Sequence, residues 1–161
     1  MVTLVIPCYN EAQRLPKQSF LQALQDQPDL HFMMVNDGSR DATLRMLEQL
    51  QQANPDRIGV LDLVQNVGKA EAVRQGLLAA LAKVAGNMEQ GFIGYWDADL
   101  ATPLAELPRF MEVMDSKPQV QWVMGTRIKM LGWDVDRTMH RHYVGRVFAT
   151  FGRLVPGLPG V

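Results

Sequence analysis

The fold is decided by residues 2–11, which read VTLVIPCYNE. Residues 2–6 form a short run of apolar and β-branched side chains that is stopped by Pro7, a pattern typical of a buried strand. A polar segment containing Tyr9 and Glu11 follows directly, at the position where such a strand would end. A buried strand with a polar carboxyl end predicts an α/β sheet whose ligands bind along that edge.

The same alternation of a short apolar run and a longer amphipathic stretch continues along the chain. Further strands are predicted at residues 31–35, 58–63, 92–96 and 120–124. Ser39 is predicted to cap the second helix. This βαβ series predicts one α/β domain with a doubly wound, mostly parallel, Rossmann-like sheet. The clearest helix follows Gly68, and its predicted apolar stripe consists of Ala70, Val73, Leu77, Leu81 and Val84.

Composition narrows the class of protein. With 161 residues, 47% of them hydrophobic and 20% charged, the chain suits a single globular domain. Its one cysteine, Cys8, excludes an internal disulfide and favours a reducing compartment. No apolar run reaches the ~18 residues expected of a membrane span. The apolar opening also lacks the basic lead-in of a signal peptide.

Charge is distributed unevenly. Residues 1–116 carry 9 basic and 15 acidic side chains, whereas residues 117–161 carry 7 basic and 2 acidic ones. Residues 137–155 can also form a basic helix with one apolar stripe. Such a helix suits an anionic membrane interface, and it equally suits an ordinary helix packed on the sheet with a solvated basic face. We therefore divide the chain into an α/β domain, residues 1–136, and a basic amphipathic segment that suits a membrane interface, residues 137–161.

The strongest single indication of chemistry is the run Asp97-Ala98-Asp99 after the fourth predicted strand. Two carboxylates at this spacing can face one Mg²⁺ or Mn²⁺, hard cations that prefer oxygen ligands and keep positions open for phosphates. The cation would neutralise charge on a departing diphosphate. An isolated acidic pair in a loop is more often simply solvated, so this motif needs the support of the others.

Three further polar segments each allow a structural and a functional interpretation. Residues 36–39, NDGS, suit a turn and a helix cap, or they aim Asp37 at a base or ribose. Residues 66–69, NVGK, offer a close backbone approach and one cation, or they form a plain turn with an exposed lysine. The P-loop pattern GxxxxGK[ST] is missing, which argues against a nucleoside triphosphatase. Tyr9 can stack on a base, or it lies half-buried in its loop.

In order and spacing, these motifs resemble the family 2 glycosyltransferases, which have a GT-A fold. The resemblance covers residues 2–127 well and continues less tightly to about residue 154. Within the family it is closest to enzymes that move a sugar from a nucleotide to a polyprenyl or dolichyl phosphate. The motifs that carry it are P-x-Y-N-E after the first strand, N-D-G-S-x-D after the second, N-x-G-K before the third helix, D-A-D-L after the fourth strand, and Gly125-Thr126-Arg127 in place of the family's G-S-R.

The resemblance implies a nucleotide-sugar donor, UDP- or GDP-linked, and a divalent cation, Mg²⁺ or Mn²⁺. Tyr9, Glu11 and Asp37 would contact the nucleoside, and Lys69 would lie near the phosphates. The full donor-binding set implied is Pro7, Tyr9, Asn10, Glu11, Asp37, Gly68, Lys69, Asp97 and Ala98.

The resemblance also implies that residues 1–136 are the catalytic domain, that residues 137–161 face the acceptor or a membrane, and which residues are catalytic. Asp97 would face the ribose or sugar, and Asp99 would be the principal metal ligand with Asp97 beside it. Arg127, the third catalytic residue, would receive the acceptor's phosphate, together with Arg141 or Arg146.

The expected reaction is an in-line displacement that inverts the anomeric carbon. A hydroxyl acceptor would need a general base, and the Glu-Asp pair that the family usually supplies is missing from this chain. Either the acceptor is a lipid phosphate, which is already anionic, or the chain stops before the base. Relatives usually continue after the point where residues 156–161 end this sequence, so the second reading describes a fragment that binds donor and transfers poorly.

Other classes fit less well. A sugar-phosphate nucleotidyltransferase would carry a Gly- and Arg-rich loop where this chain has residues 7–11. A haloacid-dehalogenase-type phosphatase would need Asp-x-Asp-x-Thr after its first strand, and here Thr102 is one position late. A nucleotide-sugar-binding module without transfer activity is the remaining alternative. We expect a lipid-phosphate or glycan acceptor, no nucleic acid, and a location in the cytoplasm at the cytoplasmic face of a membrane.

Overall fold

The computed structural model describes residues 1–84 and 91–125. Contacts divide the chain into two units, Met1–Gln119 and Val120–Val161, and all helices and strands below lie in the first. Residues 120–125 form neither helix nor strand, so the strand predicted at residues 120–124 is not observed. An apolar run becomes a strand only when another strand pairs with its backbone, and these residues have no such partner in the described part of the chain.

In residues 1–84 and 91–125, four strands alternate with four helices in the predicted order. The strands are β1 (Val2–Cys8), β2 (Leu30–Asp37), β3 (Ile58–Leu63) and β4 (Phe92–Tyr95). The helices are α1 (Lys17–Asp26), α2 (Thr43–Ala53), α3 (Lys69–Val84) and α4 (Leu107–Ser116), the last entered through a 3₁₀ turn, Leu104–Glu106. None of the helices described has the length and apolar content needed to cross a bilayer.

The sheet is parallel throughout, with the strand order β3-β2-β1-β4. From β1 the order runs outward through β2 to β3, and it then reverses, because β4 pairs with the other side of β1. Val2 accordingly lies opposite Leu30 on one side and Phe92 on the other. Ligands of such sheets bind beyond the carboxyl ends of the strands at this switch point. The predicted doubly wound α/β sheet is confirmed.

Helices cover both faces of the sheet. On one face α1, α2 and α4 bury a core that includes Ile6, Phe32 and Leu47. Phe20 of α1 packs edge-to-face on Phe32, with 5.2 Å between ring centroids. On the other face α3 covers Val5 and its neighbours on β2. This two-layer cover buries the strands and leaves their carboxyl ends to carry polar residues.

The buried face of α3 is not the predicted apolar stripe. Ala72, Gly76 and Ala80 are buried, whereas Ala70 and Leu81 of the predicted stripe are exposed. The helix lies so close to β1 and β2 that a Cβ at Gly76 would stand 2.7 Å from Val35 Cγ2 and closer still to Val5 Cγ1. The close approach therefore selects small residues for the buried face and turns larger ones outward.

The residues between β2 and α2 hold the loop that follows β1. Ser39 does not cap α2 as predicted, because the helix begins after Ala42 and no side chain caps it. Instead the Ser39 hydroxyl accepts a hydrogen bond from the Asn10 N–H at 3.0 Å. Asn10 has a φ of 53°, a left-handed conformation that asparagine tolerates, and its side-chain oxygen accepts the Arg40 N–H at 2.9 Å. These two bonds tie the β1 loop to the β2 loop.

Asp41 and Thr43 add a second connection between the same loops. The buried Thr43 hydroxyl accepts the Glu11 N–H at 2.8 Å and donates to the Asp41 carboxylate. That carboxylate also accepts the Ala12 N–H at 3.2 Å. The backbone at residues 10–12, next to the edge of the sheet, is thus fixed by side chains about thirty positions later in the chain.

Replacing Gly76 by alanine should lower the free energy of unfolding. Alanine is the better helix former by about 1 kcal/mol, but the added methyl group must displace β1 and β2 side chains, and overpacking costs about 1–3 kcal/mol. Urea denaturation measures the difference. Gly94→Ala is the matched control, because its nearest neighbour, Leu4 Cδ2 at 3.5 Å, is an ordinary contact. A Gly76→Ala variant as stable as the wild type would contradict this packing.

The charge of Asp41 should stabilise the fold at neutral pH. Its hydrogen bonds, the one from the Thr43 hydroxyl first, hold the pKa of Asp41 below its usual range. A carboxyl with a lowered folded-state pKa stabilises above the unfolded pKa, ~3.9, and loses that contribution as the pH falls through the folded-state pKa. Asp41→Asn should therefore be less stable than wild type at pH 7.

Thermal denaturation between pH 7 and pH 3 measures this effect. The difference between wild type and Asp41→Asn should shrink below about pH 4. Asp56→Asn, at an exposed position before β3, is the control and should follow the wild-type curve. A constant difference at all pH values would mean that the Asp41 charge is not the cause.

Candidate functional site

A cleft of about 440 Å³ opens at the carboxyl edge of the sheet, beside the switch point. The ends of β1, β2 and β4 and the loop that leads into α3 line it. The structure therefore brings four of the five sequence motifs together in one place. The predicted site residues among its lining are Pro7, Tyr9, Glu11, Asp37, Gly68, Lys69, Asp97, Ala98 and Asp99.

Four predicted residues are not part of this lining. Asn10 lies next to the cleft, but its backbone and side chain bind Ser39 and Arg40. Arg127, Arg141 and Arg146 lie outside the described residues, as does the predicted segment at residues 137–161. The structure thus brings most residues predicted to bind the donor to one cleft. The residues predicted to bind the acceptor stay predictions.

Asp97 and Asp99 lie on either side of a buried residue, Ala98. Ala98 packs into the core with 7% of its surface exposed, while Asp99 is exposed and Asp97 partly so. One Asp99 oxygen accepts the Ala101 N–H at 3.0 Å, in a turn where Leu100 has a φ of 50°. The tight turn after β4 therefore holds both carboxylates at the mouth of the cleft.

Lys69 reaches the Asp97 carboxylate from the start of α3. As the first residue of α3, it donates from Nζ to Asp97 Oδ1 at 2.6 Å. The side chains are 61% and 40% exposed, so the pair adds little to stability and both groups stay accessible. The arrangement puts one cation beside two carboxylates, which suits a ligand with an anionic phosphate and a divalent metal.

The Asp37 carboxylate is engaged by the loop that precedes α3. Only 3% of Asp37 is exposed, although it borders the cleft. Its Oδ1 accepts the Val67 N–H at 2.7 Å, and its Oδ2 accepts the Gly68 N–H at 3.1 Å. The Asn66 side chain donates to Oδ2 at 2.9 Å and to the Asp37 carbonyl at 3.1 Å. Both carboxylate oxygens thus have protein partners before any ligand binds.

Arg14 is a cation of the cleft that the sequence analysis missed. It forms an ion pair with Glu11, 2.9 Å from Nη2 to Oε1, with the Glu11 side chain only 15% exposed. The Arg14 N–H bonds to the Glu11 carbonyl at 3.0 Å, so a single turn places the two side chains together. The spacing of three residues between opposite charges was the available signal, and it is too common to be specific.

Cys8 and Tyr9 are neighbours in the sequence but differ in solvent exposure. Cys8 is fully buried, and burial, assisted by the Glu11 charge, raises the pKa of its thiol to about 12. Such a buried thiol stays protonated at neutral pH. Tyr9 is 39% exposed, so its ring is accessible for stacking at the cleft.

The chemistry of the cleft fits a hard divalent cation. Asp97 and Asp99 each keep one carboxylate oxygen without a partner among the described residues. No group of three or more His, Cys, Asp or Glu side chains in the described ranges forms a complete metal site. Two carboxylates suit Mg²⁺ or Mn²⁺, which commonly take their other ligands from substrate phosphates and water.

A larger depression, about 1240 Å³, lies at the opposite edge of the sheet. The amino ends of β1, β2 and β4 line it, together with α4. Its charged side chains are all acidic, Asp26, Asp29, Glu112 and Asp115, so it would repel a diphosphate. The smaller cleft is the better candidate because it has cations and lies at the switch point.

Comparisons with known proteins agree with this geometry. A dolichyl-phosphate beta-glucosyltransferase of Drosophila melanogaster is 36% identical over 88 residues of alignment, covering 49% of this chain and 27% of the relative. The crystal structure of S. aureus TarS 1-349 has a TM-score of 0.53 at 20% identity, covering 73% of this chain and 33% of that one. The same protein in complex with UDP-GlcNAc has a TM-score of 0.54.

The likeness to TarS shows the fold, and the sequence model of one family extends over nearly the whole chain. This chain spans about a quarter of the Drosophila relative and a third of the TarS chain. The model of glycosyl transferase family 2 matches residues 3–158. The predicted resemblance is thereby confirmed, and the chain belongs to glycosyl transferase family 2.

Proposed function

We propose that the cleft binds a nucleotide-sugar and that the protein transfers the sugar, with inversion, to a polyprenyl or dolichyl phosphate. The observation that carries this proposal is the meeting of Lys69 with Asp97 and Asp99 in one cleft at the switch point. A cation suits the diphosphate of such a donor, and two accessible carboxylates suit the metal that would accompany it.

The cleft has a nucleoside end and a phosphate end in this proposal. Pro7, Tyr9 and Glu11, in the fixed loop after β1, would contact the nucleoside, with the Tyr9 ring available for stacking. Gly68 and Lys69 would meet the phosphates at the start of α3, where helix N–H groups favour negative charge. The TarS complex holds UDP-GlcNAc, which supports a UDP- or GDP-sugar as donor.

Asp99, with Asp97, would hold Mg²⁺ or Mn²⁺, which when bound neutralises charge on the departing diphosphate. Lys69 would stabilise the same charge from the protein side, since its ammonium lies at the mouth of the cleft. The acceptor would attack the anomeric carbon from the side opposite the leaving diphosphate, so that the configuration inverts. The protein's share of catalysis is thus orientation and charge stabilisation.

A phosphate acceptor suits the residues present. It is anionic and needs no general base. The Drosophila relative is named a dolichyl-phosphate beta-glucosyltransferase, which supports this acceptor class. Arg127 with Arg141 or Arg146 would receive the acceptor's phosphate, and residues 137–161 would face the cytoplasmic surface of a membrane.

Calorimetric titration with UDP-, GDP- and TDP-sugars in the presence of Mn²⁺ tests donor binding. One nucleotide should bind, and chelator or Asp99→Asn should weaken it at least about tenfold, because even partners outside the ligand shell of a metal contribute that much. Asp56→Asn, on the surface before β3, is the matched control and should bind as wild type. Failure of the folded protein to bind any of the three nucleotide-sugars would overturn the proposal. An affinity that chelator does not change would show that donor binding needs no metal.

Transfer to a polyprenyl phosphate should exceed transfer to the matching polyprenol, because only the phosphate is a nucleophile without a base. Mass spectrometry of the lipid product measures the transfer, and NMR of its anomeric proton reports the configuration. Equal transfer to the alcohol would contradict the lipid-phosphate acceptor. Donor binding without transfer to either lipid would instead support a binding module.

A further inference from the structure

We infer that Trp96 is a positioning residue for the divalent cation: its indole N–H closes the turn that carries Asp97 and Asp99, and so fixes the two carboxylates at the cleft. The inference rests on the proposed function, because the cation is the one that would accompany the diphosphate of the donor. Trp96 lies in the buried core rather than in the lining of the cleft, so it acts through the turn that it holds.

The indole hydrogen bond spans the whole turn. Trp96 Nε1 donates to the Thr102 carbonyl at 2.7 Å, across residues 97–101. The Trp96 backbone N–H donates to the Val5 carbonyl at 2.9 Å, which continues the pairing of β4 with β1. Only 8% of Trp96 is exposed, and its ring packs edge-to-face on Phe110 of α4, with 5.5 Å between ring centroids. A side chain fixed in the core therefore joins the two ends of the turn.

Two further hydrogen bonds lie inside the closed turn. The Leu100 N–H donates to the Asp97 carbonyl at 3.1 Å, and the Ala101 N–H donates to Asp99 Oδ1 at 3.0 Å. Leu100 has a φ of 50°, a left-handed conformation that leucine rarely adopts and that persists only where the surrounding structure holds it. The backbone of Asp97 and the side chain of Asp99 thus depend on a turn whose ends the indole ties together.

A cation site benefits from a turn that is ordered in advance. Mg²⁺ demands near-ideal octahedral geometry, so its carboxylate ligands must stand at defined positions. Carboxylates on a loose loop would have to be ordered when the cation binds, and that ordering costs affinity. Partners outside the ligand shell of a metal strengthen binding by holding the ligands in place. A buried indole N–H needs a hydrogen-bond partner in any case, and at Trp96 that partner belongs to the turn of the two aspartates.

The first experiment removes the N–H group and keeps an aromatic ring. Trp96→Phe takes away the donor, and Phe110→Leu is the matched control, because it removes the ring contact and leaves the indole hydrogen bond in place. EPR of the free ion measures the binding of Mn²⁺ in the presence of UDP or GDP. Trp96→Phe should weaken Mn²⁺ binding about fivefold, the factor that one ordinary hydrogen bond is worth, and Phe110→Leu should change it less than about twofold. Unchanged Mn²⁺ affinity in Trp96→Phe would overturn the inference.

A chelator separates positioning of the cation from a general loosening of the cleft. In EDTA, Trp96→Phe should bind UDP or GDP as tightly as wild type, because Trp96 lies in the core and the cleft lining itself is unchanged. NMR titration measures this affinity. A loss of nucleotide affinity that is equal with Mn²⁺ and with EDTA would overturn the inference, since Trp96 would then support the cleft as a whole.

A ligand-free measurement separates this inference from the proposed function. Hydrogen exchange at the Leu100 and Ala101 amides should be at least about fivefold faster in Trp96→Phe than in wild type. Amides of a surface turn exchange by local opening, so the lower global stability expected of Phe110→Leu should leave both rates unchanged. Unchanged exchange in Trp96→Phe would overturn the inference even in a protein that binds donor. If wild type binds no nucleotide, the proposed function is overturned, and the exchange rates decide whether Trp96 holds the turn.

Should Trp96→Phe not fold, replacement of Trp96 by benzothienylalanine provides the second variant. A sulfur atom then stands where the indole has its N–H, and the bicyclic ring keeps the packing on Phe110. Mn²⁺ binding should weaken and exchange at Leu100 and Ala101 should accelerate by the same factors as in Trp96→Phe. Wild-type values in both measurements would assign Trp96 to core packing alone and overturn the inference.

Discussion

A buried carboxylate must have its charge stabilised by hydrogen bonds, and at Asp37 this requirement organises the cleft. The end of β2 supplies the charge, and the loop before α3 supplies the N–H groups that satisfy it. Because those groups belong to consecutive residues, 66–68, the carboxylate sets a whole turn rather than one side chain. The helix that follows therefore begins at a defined place, with Lys69 at the edge of the sheet.

The β2 end holds the loops on both sides of it. Toward β3 it binds residues 66–68, and toward β1 the hydroxyls of Ser39 and Thr43 accept the N–H groups of Asn10 and Glu11. β2 lies between β1 and β3 in the sheet, so one connection can reach both neighbours. On the far side of β1 lies β4, and the Asp-Ala-Asp turn after it lines the cleft at the switch point. The site is thus built on loops that are fixed by a rigid sheet, as binding sites on α/β folds generally are.

Sequence patterns predicted helices and strands well where residues near in sequence determine the structure. β3, Ile58–Leu63, matches its predicted range, because a run of apolar residues bounded by polar ones needs no distant information. The predicted face of α3 was wrong in part. Leu77 of the predicted stripe packs against the core, but the fully buried positions are small residues, because the distance to β1 and β2 decides between large and small side chains. The cap at Ser39 was wrong for a related reason: its hydroxyl has a better partner in another loop.

The sequence by itself determined which residue types stand at the carboxyl ends of the strands, and hence the chemistry available to the cleft. The sequence predicts the positions of Pro7, Gly68 and the aspartates at 97 and 99, because turns and strand ends depend on neighbouring residues. Only the tertiary structure decided which of these groups meet. Lys69 and Asp97 are 28 positions apart, and their contact depends on β4 pairing with β1, a choice made by packing of the whole sheet. The hydrogen bonds of Asp37 to residues 66–68 were likewise undetermined, because those partners lie about thirty positions away along the chain.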